Sequence, residues 1–160
     1  MILDSEFDAI ASPLINQAEY QSMKNYRAHG QVSVYDHSLF VAERAYLYAK
    51  KRHLDLDYTS LVRGALLHDY YLYDWHKKHK GHRLHGFCHP AWALHNALLA
   101  YDLNPTERDI IRNHMFPLTL FHWPHSKEAR LVSKMDHKEA RVEMHEQRVP
   151  SLQVLVFQER

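Results

Sequence analysis

Residues 57–69, "DYTSLVRGALLHD", set Leu61, Gly64, Ala65 and His68 at i, i+3, i+4 and i+7. Only a helix turns that spacing into one face. The face is apolar until its last turn, where it ends in an imidazole followed at once by the carboxylate of Asp69. Burying either group without a partner is unfavourable, and a carboxylate above all unless it is paired or metal-bound. A fold that buries this helix must therefore bring partners for both groups to the same place.

The rest of the chain also reads as helix. It has only four glycines among 160 residues, and its apolar residues recur at three- and four-residue steps. Ser12-Pro13 reads as cap and first-turn proline of a helix running toward Tyr26. Residues 35–51 carry His37, Val41, Ala45 and Tyr48 on one stripe, and Asp57 and Thr59 are cap candidates for the next helix. His89-Pro90 opens a third segment, and Asn104-Pro105 with Glu107 forms a capping-box pattern for a fourth, which Pro117 stops soon after His114. Residues 126–147 form a long charged amphipathic helix with Leu131, Val132, Met135 and Asp136 inward. The expected fold is all-α, a bundle of five or more core helices around a cleft. No repeat or linker divides it, so a single domain is expected over 1–160. Its parts are a helical extension at 1–30, a core at 31–140 and a tail at 141–160. The tail's "SLQVLVFQ" alternates like a strand but finds no evident partner. Residues 70–88 are long for a connection and dense in aromatic, histidine and lysine residues, which reads as a lid or pocket wall.

Composition narrows the function. A net charge of +1 with mixed signs gives no electrostatic case for a nucleic-acid polymer or an anionic membrane. A single cysteine, Cys88, permits neither an intrachain disulfide nor a cysteine-rich zinc site. No apolar run approaches the roughly 18–20 residues of a membrane span, and the start "MILDSEFDAI" is acidic, unlike a targeting signal. The expectation is a cytoplasmic protein with no membrane partner; a homo-oligomer is left open. The 15 histidines point to metal or acid/base chemistry. His53, His76, His79, His122, His125, His137 and His145 lie in charged or loop-like surroundings and read as surface residues.

Six positions remain. His37 starts one core helix, His68-Asp69 ends the next, His89 begins a third, His114 ends a fourth and Asp136 lies on the inner side of a fifth. Adjacent helical residues point about 100° apart, so His68 and Asp69 can share a partner only at a helix end. Four imidazoles and two carboxylates suit Fe, Mn, Co, Ni or Zn better than an all-oxygen calcium cage. A lone histidine on an apolar stripe is more often a hydrogen-bonded core residue, so the weight rests on the combination.

"YDHSLFVAERA", "LVRGALLHDY", "HPAWALHNA", "IIRNHMFP" and "LVSKMDHKE", in that order over about residues 31–140, resemble the HD-domain superfamily of metal-dependent phosphohydrolases, especially its small single-domain bacterial members. The resemblance implies that His37, His68, Asp69 and Asp136 bind one divalent metal. It implies that His89 and His114 bind a second, with Asp69 as bridge. Many members continue "HDIGK" where this chain has "HDYYLYDW", so the lysine that often approaches substrate phosphate is missing. Lys78, Arg83 or His85 is the expected replacement, although a solvated charge run reads equally well there.

Two divalent ions, whether Fe, Mn, Co, Ni, Zn or Mg, would make hydroxide at neutral pH and stabilise both oxygens of a phosphoryl displacement. Asp69 and Asp74 are then the carboxylates for water orientation and proton transfer, unless they serve to hold ligand histidines. The expected activity is hydrolysis of a phosphate mono- or diester of a small, nucleotide-like substrate. The alternatives are a non-catalytic metal- or nucleotide-binding module and, on the same scaffold, a di-iron oxygenase. Tyr70, Tyr71, Tyr73, Trp75, Phe87 and Trp92 could stack a base or simply fill the core.

Overall fold

A computed structural model describes residues 4–74 and 85–145, and among them every regular element is helical. α1 is Ser5–Ile15, α2 is Ala18–Gln21 with a 3-10 turn at Ser22–Asn25, and α3 is Val34–Lys51. α4 is Tyr58–Leu67, α5 is His85–Ala100, α6 is Pro105–Asn113 and α7 is Lys127–His145. α3 packs on α4 and α7, α6 packs on α4 and α7, and α5 lies on α6 while α1 covers α4. The molecule is thus an all-α bundle, as the periodicity predicts.

The capping chemistry acts where the sequence places it for α4 and α6. Asp57 accepts from the Ser60 N–H at 3.0 Å. Asn104 and Glu107 exchange bonds of 2.9 Å with each other's backbone N–H, closing the capping box. α1 departs from expectation: it starts at Ser5, capped by Asp4, and Ser12-Pro13 lies inside it. The reason is the buried stripe Phe7, Ala11 and Leu14, which only an earlier start can form. Burying the Phe and Leu side chains stabilises by about 1.5–3 kcal/mol each, which together offsets the roughly 3 kcal/mol that a proline inside a helix costs. α5 likewise starts at His85, upstream of His89-Pro90, so the connection after His68-Asp69 is shorter than residues 70–88. Pro90 is therefore the sixth residue of α5 and not its first, lying inside the helix where it withholds one bond of the ladder. Residues 75–84 of the 70–88 segment that reads as a lid or pocket wall, and the tail beyond 145, lie outside the described residues.

Gly64 sets the geometry that matters most. A Cβ there would come within 2.5 Å of Ile110 Cδ1 and 3.0 Å of its Cβ. α4 and α6 therefore touch at a glycine one turn before His68 and an isoleucine one turn before His114. Both helices end at the same level, with the two imidazole rings 4.8 Å apart.

Candidate metal centre

His68 and His114 use one device. Each follows the last residue of its helix, where carbonyls lack intrahelical partners. His68 donates its Nδ1–H to the Ala65 carbonyl at 2.7 Å, and His114 donates its Nδ1–H to the Ile111 carbonyl at 2.9 Å. Both rings are fully buried, and these bonds leave each Nε2 facing the centre of the bundle. Burial and the neighbouring His68 and His89 push the His114 pKa down to about 3, so it stays neutral. His89 Nε2 lies 2.8 Å from His114 Nε2; since His114 gives its Nδ1–H to Ile111, His89 is the donor.

Asp69 lies between two sets of imidazoles. Its Oδ2 is 3.7 Å from His68 Nε2 and 3.9 Å from His37 Nε2. Its Oδ1 is 3.2 Å from His89 Nε2 and 3.5 Å from His114 Nε2. Asp136, from α7, joins the first set, with Oδ1 3.0 Å from His37 Nε2 and 3.7 Å from His68 Nε2. The six residues singled out in the sequence thus meet in one buried place. Asp69 Oδ1 and His68 Nε2 are buried there without a hydrogen-bond partner.

The electrostatics follow from this crowding. Burial favours neutral Asp69, but His68 and His89 outweigh it and hold the carboxyl well below its usual range. Asp136 is likewise held low against burial, by His37 and His68. Burial would lower the His37 pKa, yet hydrogen bonds to Asp136 and Glu143 raise it well above its ordinary value. His68 is raised as well, by Asp69 and Asp136 against burial.

Other expected site residues divide. Asp74 is half-buried and belongs to no cluster of donor atoms among the described residues. Lys78, Arg83 and the His85 side chain lie outside the described residues, as does Trp75. Of the aromatics, Tyr70 is core, packed with Tyr20 and Tyr101, while Phe87 and Trp92 are half exposed. Tyr71 lies beside the site, its ring 5.8 Å from His89. Burial and Asp69 push the Tyr73 hydroxyl up to about 12, so it remains a donor. Asn96 on α5 pins this stretch of chain by donating to the Tyr70 and Tyr71 carbonyls at 3.1 Å.

Sequence reasoning missed two residues at the centre. Glu143 accepts from His37 Nδ1, with its oxygens at 2.9 and 3.1 Å. Its signal was the inward stripe Asp136, Glu139 and Glu143 at i, i+3 and i+7, whose middle member pairs with Arg44 of α3. His29 sits on the turn that precedes α3, its ring 5.2 Å from that of His37. The turn closes through Ala28 N–H to the Val32 carbonyl and Val32 N–H to the His29 carbonyl, both 2.9 Å, with Gly30 at φ +56°.

Donor atoms of His37, His68 and Asp69, of His68, His114 and Asp136, and of Asp69, His89 and His114 lie within 4.8 Å of one another in each group. These groups could hold metal ions. Among the described residues no helix is long and apolar enough to cross a membrane. No protein-family model matches the chain, and neither a curated protein nor a solved structure of significant similarity was found.

Proposed function

We propose that the protein is a metal-dependent phosphohydrolase of the HD type, cleaving a phosphate mono- or diester of a small, nucleotide-like substrate. The observation that carries this reading is the division of Asp69. One oxygen faces His37 and His68, and the other faces His89 and His114. A carboxylate shared in this way suits a pair of divalent ions, and the residues fit such a pair. The donor set is mixed N and O, as Fe, Mn, Co, Ni, Zn and Mg sites require in differing proportion. The unpartnered Asp69 Oδ1 and His68 Nε2 are atoms that a cation would satisfy.

His37, His68, Asp69 and Asp136 would hold one ion, and Asp69, His89 and His114 the other. Such ions supply hydroxide at neutral pH and neutralise charge on a transferring phosphoryl group. The chain's own part is to fix these donors in place and to hold His114, Asp69 and Asp136 unprotonated. Neutral His114 needs no proton removed before it can ligate. Asp69 and Asp136, held low, stay anionic. The Tyr73 hydroxyl, kept protonated, can donate to a substrate oxygen, and Asp74 is the carboxylate for passing a proton to the leaving oxygen. Buried aromatic and aliphatic side chains around the donors limit water, which strengthens each electrostatic contact.

The test is hydrolysis of a panel of phosphomonoesters and phosphodiesters by chelated protein resupplied with Mn, Fe, Co, Ni, Zn or Mg. Turnover that requires added metal is expected. Absence of turnover across the panel with metal bound would contradict the reading, and oxygen consumption by the iron-loaded protein would replace it with oxygenase chemistry.

A further inference from the structure

We propose that Glu143 is the positioning residue for His37, fixing the imidazole so that Nε2 alone is presented to a metal; the inference rests on the metal-binding reading above. A carboxylate only accepts, so the contacts at 2.9 and 3.1 Å place a proton on His37 Nδ1. His37 is fully buried and Glu143 nearly so. On α7, Glu143 follows Asp136 by seven residues, two turns along one face. One helix therefore holds both edges of the ring: Glu143 takes the Nδ1–H, while Asp136 Oδ1, 3.0 Å from Nε2, takes the proton that a metal would displace there.

The need for a side-chain carboxylate follows from where His37 sits. His68 and His114 stand at helix C-termini, where unpaired carbonyls take their Nδ1–H. His37 is in the first turn of α3, where the unpaired backbone groups are N–H donors and no carbonyl is spare. The acceptor has to come from another element, and α7 supplies it. Gly30 on the facing turn makes room: a Cβ there would meet the Glu143 carbonyl oxygen at 3.2 Å. A carboxylate also polarises the imidazole more than a carbonyl does, so Glu143 makes Nε2 of His37 a stronger donor to metal than a backbone acceptor would.

The experiment titrates zinc alone into chelated wild-type, Glu143→Gln and Glu143→Ala protein by calorimetry, with circular dichroism as the check on folding. Nitrogen-15 NMR of the zinc-loaded proteins reads the His37 tautomer. Zinc affinity is expected to fall about 10- to 100-fold in Glu143→Ala, with a smaller loss in Glu143→Gln, whose amide oxygen can still accept from Nδ1. The wild type should show His37 protonated at Nδ1 only. Wild-type affinity in a folded Glu143→Gln and Glu143→Ala pair, or a zinc-loaded wild type with the proton on Nε2, overturns the proposal. Should Glu143→Ala fail to fold, Glu143→Gln and the wild-type tautomer decide alone. Failure of the wild type to bind zinc at all would remove the metal reading as well, whereas unchanged affinity in the variants removes only the role of Glu143.

Discussion

Gly64 and Ile110 are packed so closely that a methyl group on the glycine would lie 2.5 Å from Ile110 Cδ1. The Ile110 Cβ and Cγ2 also stand within 3.0 and 3.1 Å of that position, so a rotamer change cannot clear it. Gly64→Ala must therefore push α4 from α6. A loss of about 1–3 kcal/mol in unfolding free energy is expected, against the usual gain from replacing glycine in a helix. Because His68 and His114 lie one turn beyond the contact, metal affinity should weaken too. Denaturant unfolding and zinc titration of this variant check both, and a variant more stable than wild type would show the contact to be slack.

That contact explains what the sequence could and could not tell. Apolar spacing places His68 on a buried stripe because Leu61, Gly64 and Ala65 are unambiguous. The capping box of α6 is legible because Asn104, Pro105 and Glu107 satisfy backbone groups locally. Glu143 is harder to read, because its seven-residue spacing from Asp136 is the signal it gives. "KEARVEMHEQ" has the composition of a solvated face, and only packing against α3 shows which of its charges turn inward. His29 depends on a turn whose closure needs Gly30 at positive φ, which spacing alone does not reveal. Ser12-Pro13 misleads because a local helix-start signal competes with the buried stripe of Phe7 and Leu14, and burying that stripe stabilises the chain more than the cap would.

Asp69→Ala is expected to abolish metal-dependent hydrolysis while leaving helix content unchanged. The variant removes the one carboxylate among the described residues that faces both imidazole sets, but Leu61, Ala65 and Leu66 keep α4 buried. Arg63 is not its partner: it donates to Glu107 at 2.5 Å and to the Asp102 carbonyl at 3.2 Å. Activity and circular dichroism measured on one preparation give the answer. A folded variant with full activity on a substrate that the wild type hydrolyses would exclude Asp69 from the chemistry.

Acid should strip metal from the site. In the metal-free chain, hydrogen bonds and carboxylates raise the pKa values of His37 and His68 despite burial. Below those values a metal must displace a proton from each, so apparent zinc affinity should fall about tenfold per pH unit per displaced proton. Stability of the metal-free chain runs the other way. A raised imidazole contributes stability that is full below the unfolded value near 6.5 and is lost as pH rises through the folded value. Zinc binding should strengthen as pH rises from 5.5, and a flat profile would mean that these imidazoles are already neutral.

Glu43 makes a separate pH signature away from the centre. Burial, with Asp8 and Glu139 nearby, raises its carboxyl to about 7. Between the unfolded value and 7 the folded chain keeps a proton that the unfolded chain has released, so this group makes stability fall as pH rises through that window. Above 7 the penalty is constant. Glu43→Gln should therefore raise the melting temperature at pH 8 more than at pH 5, and an equal change at both would show Glu43 to titrate normally.

Metal stoichiometry tests the central claim most directly. Chelated protein resupplied with manganese or zinc, freed of excess and analysed for metal, should carry roughly two equivalents per chain, because Asp69 serves two donor sets. His89→Ala and His114→Ala should each fall to about one equivalent, with His37, His68, Asp69 and Asp136 retaining the remaining ion. A wild type that binds no metal, or one whose stoichiometry is the same in both variants, would contradict the two-metal account.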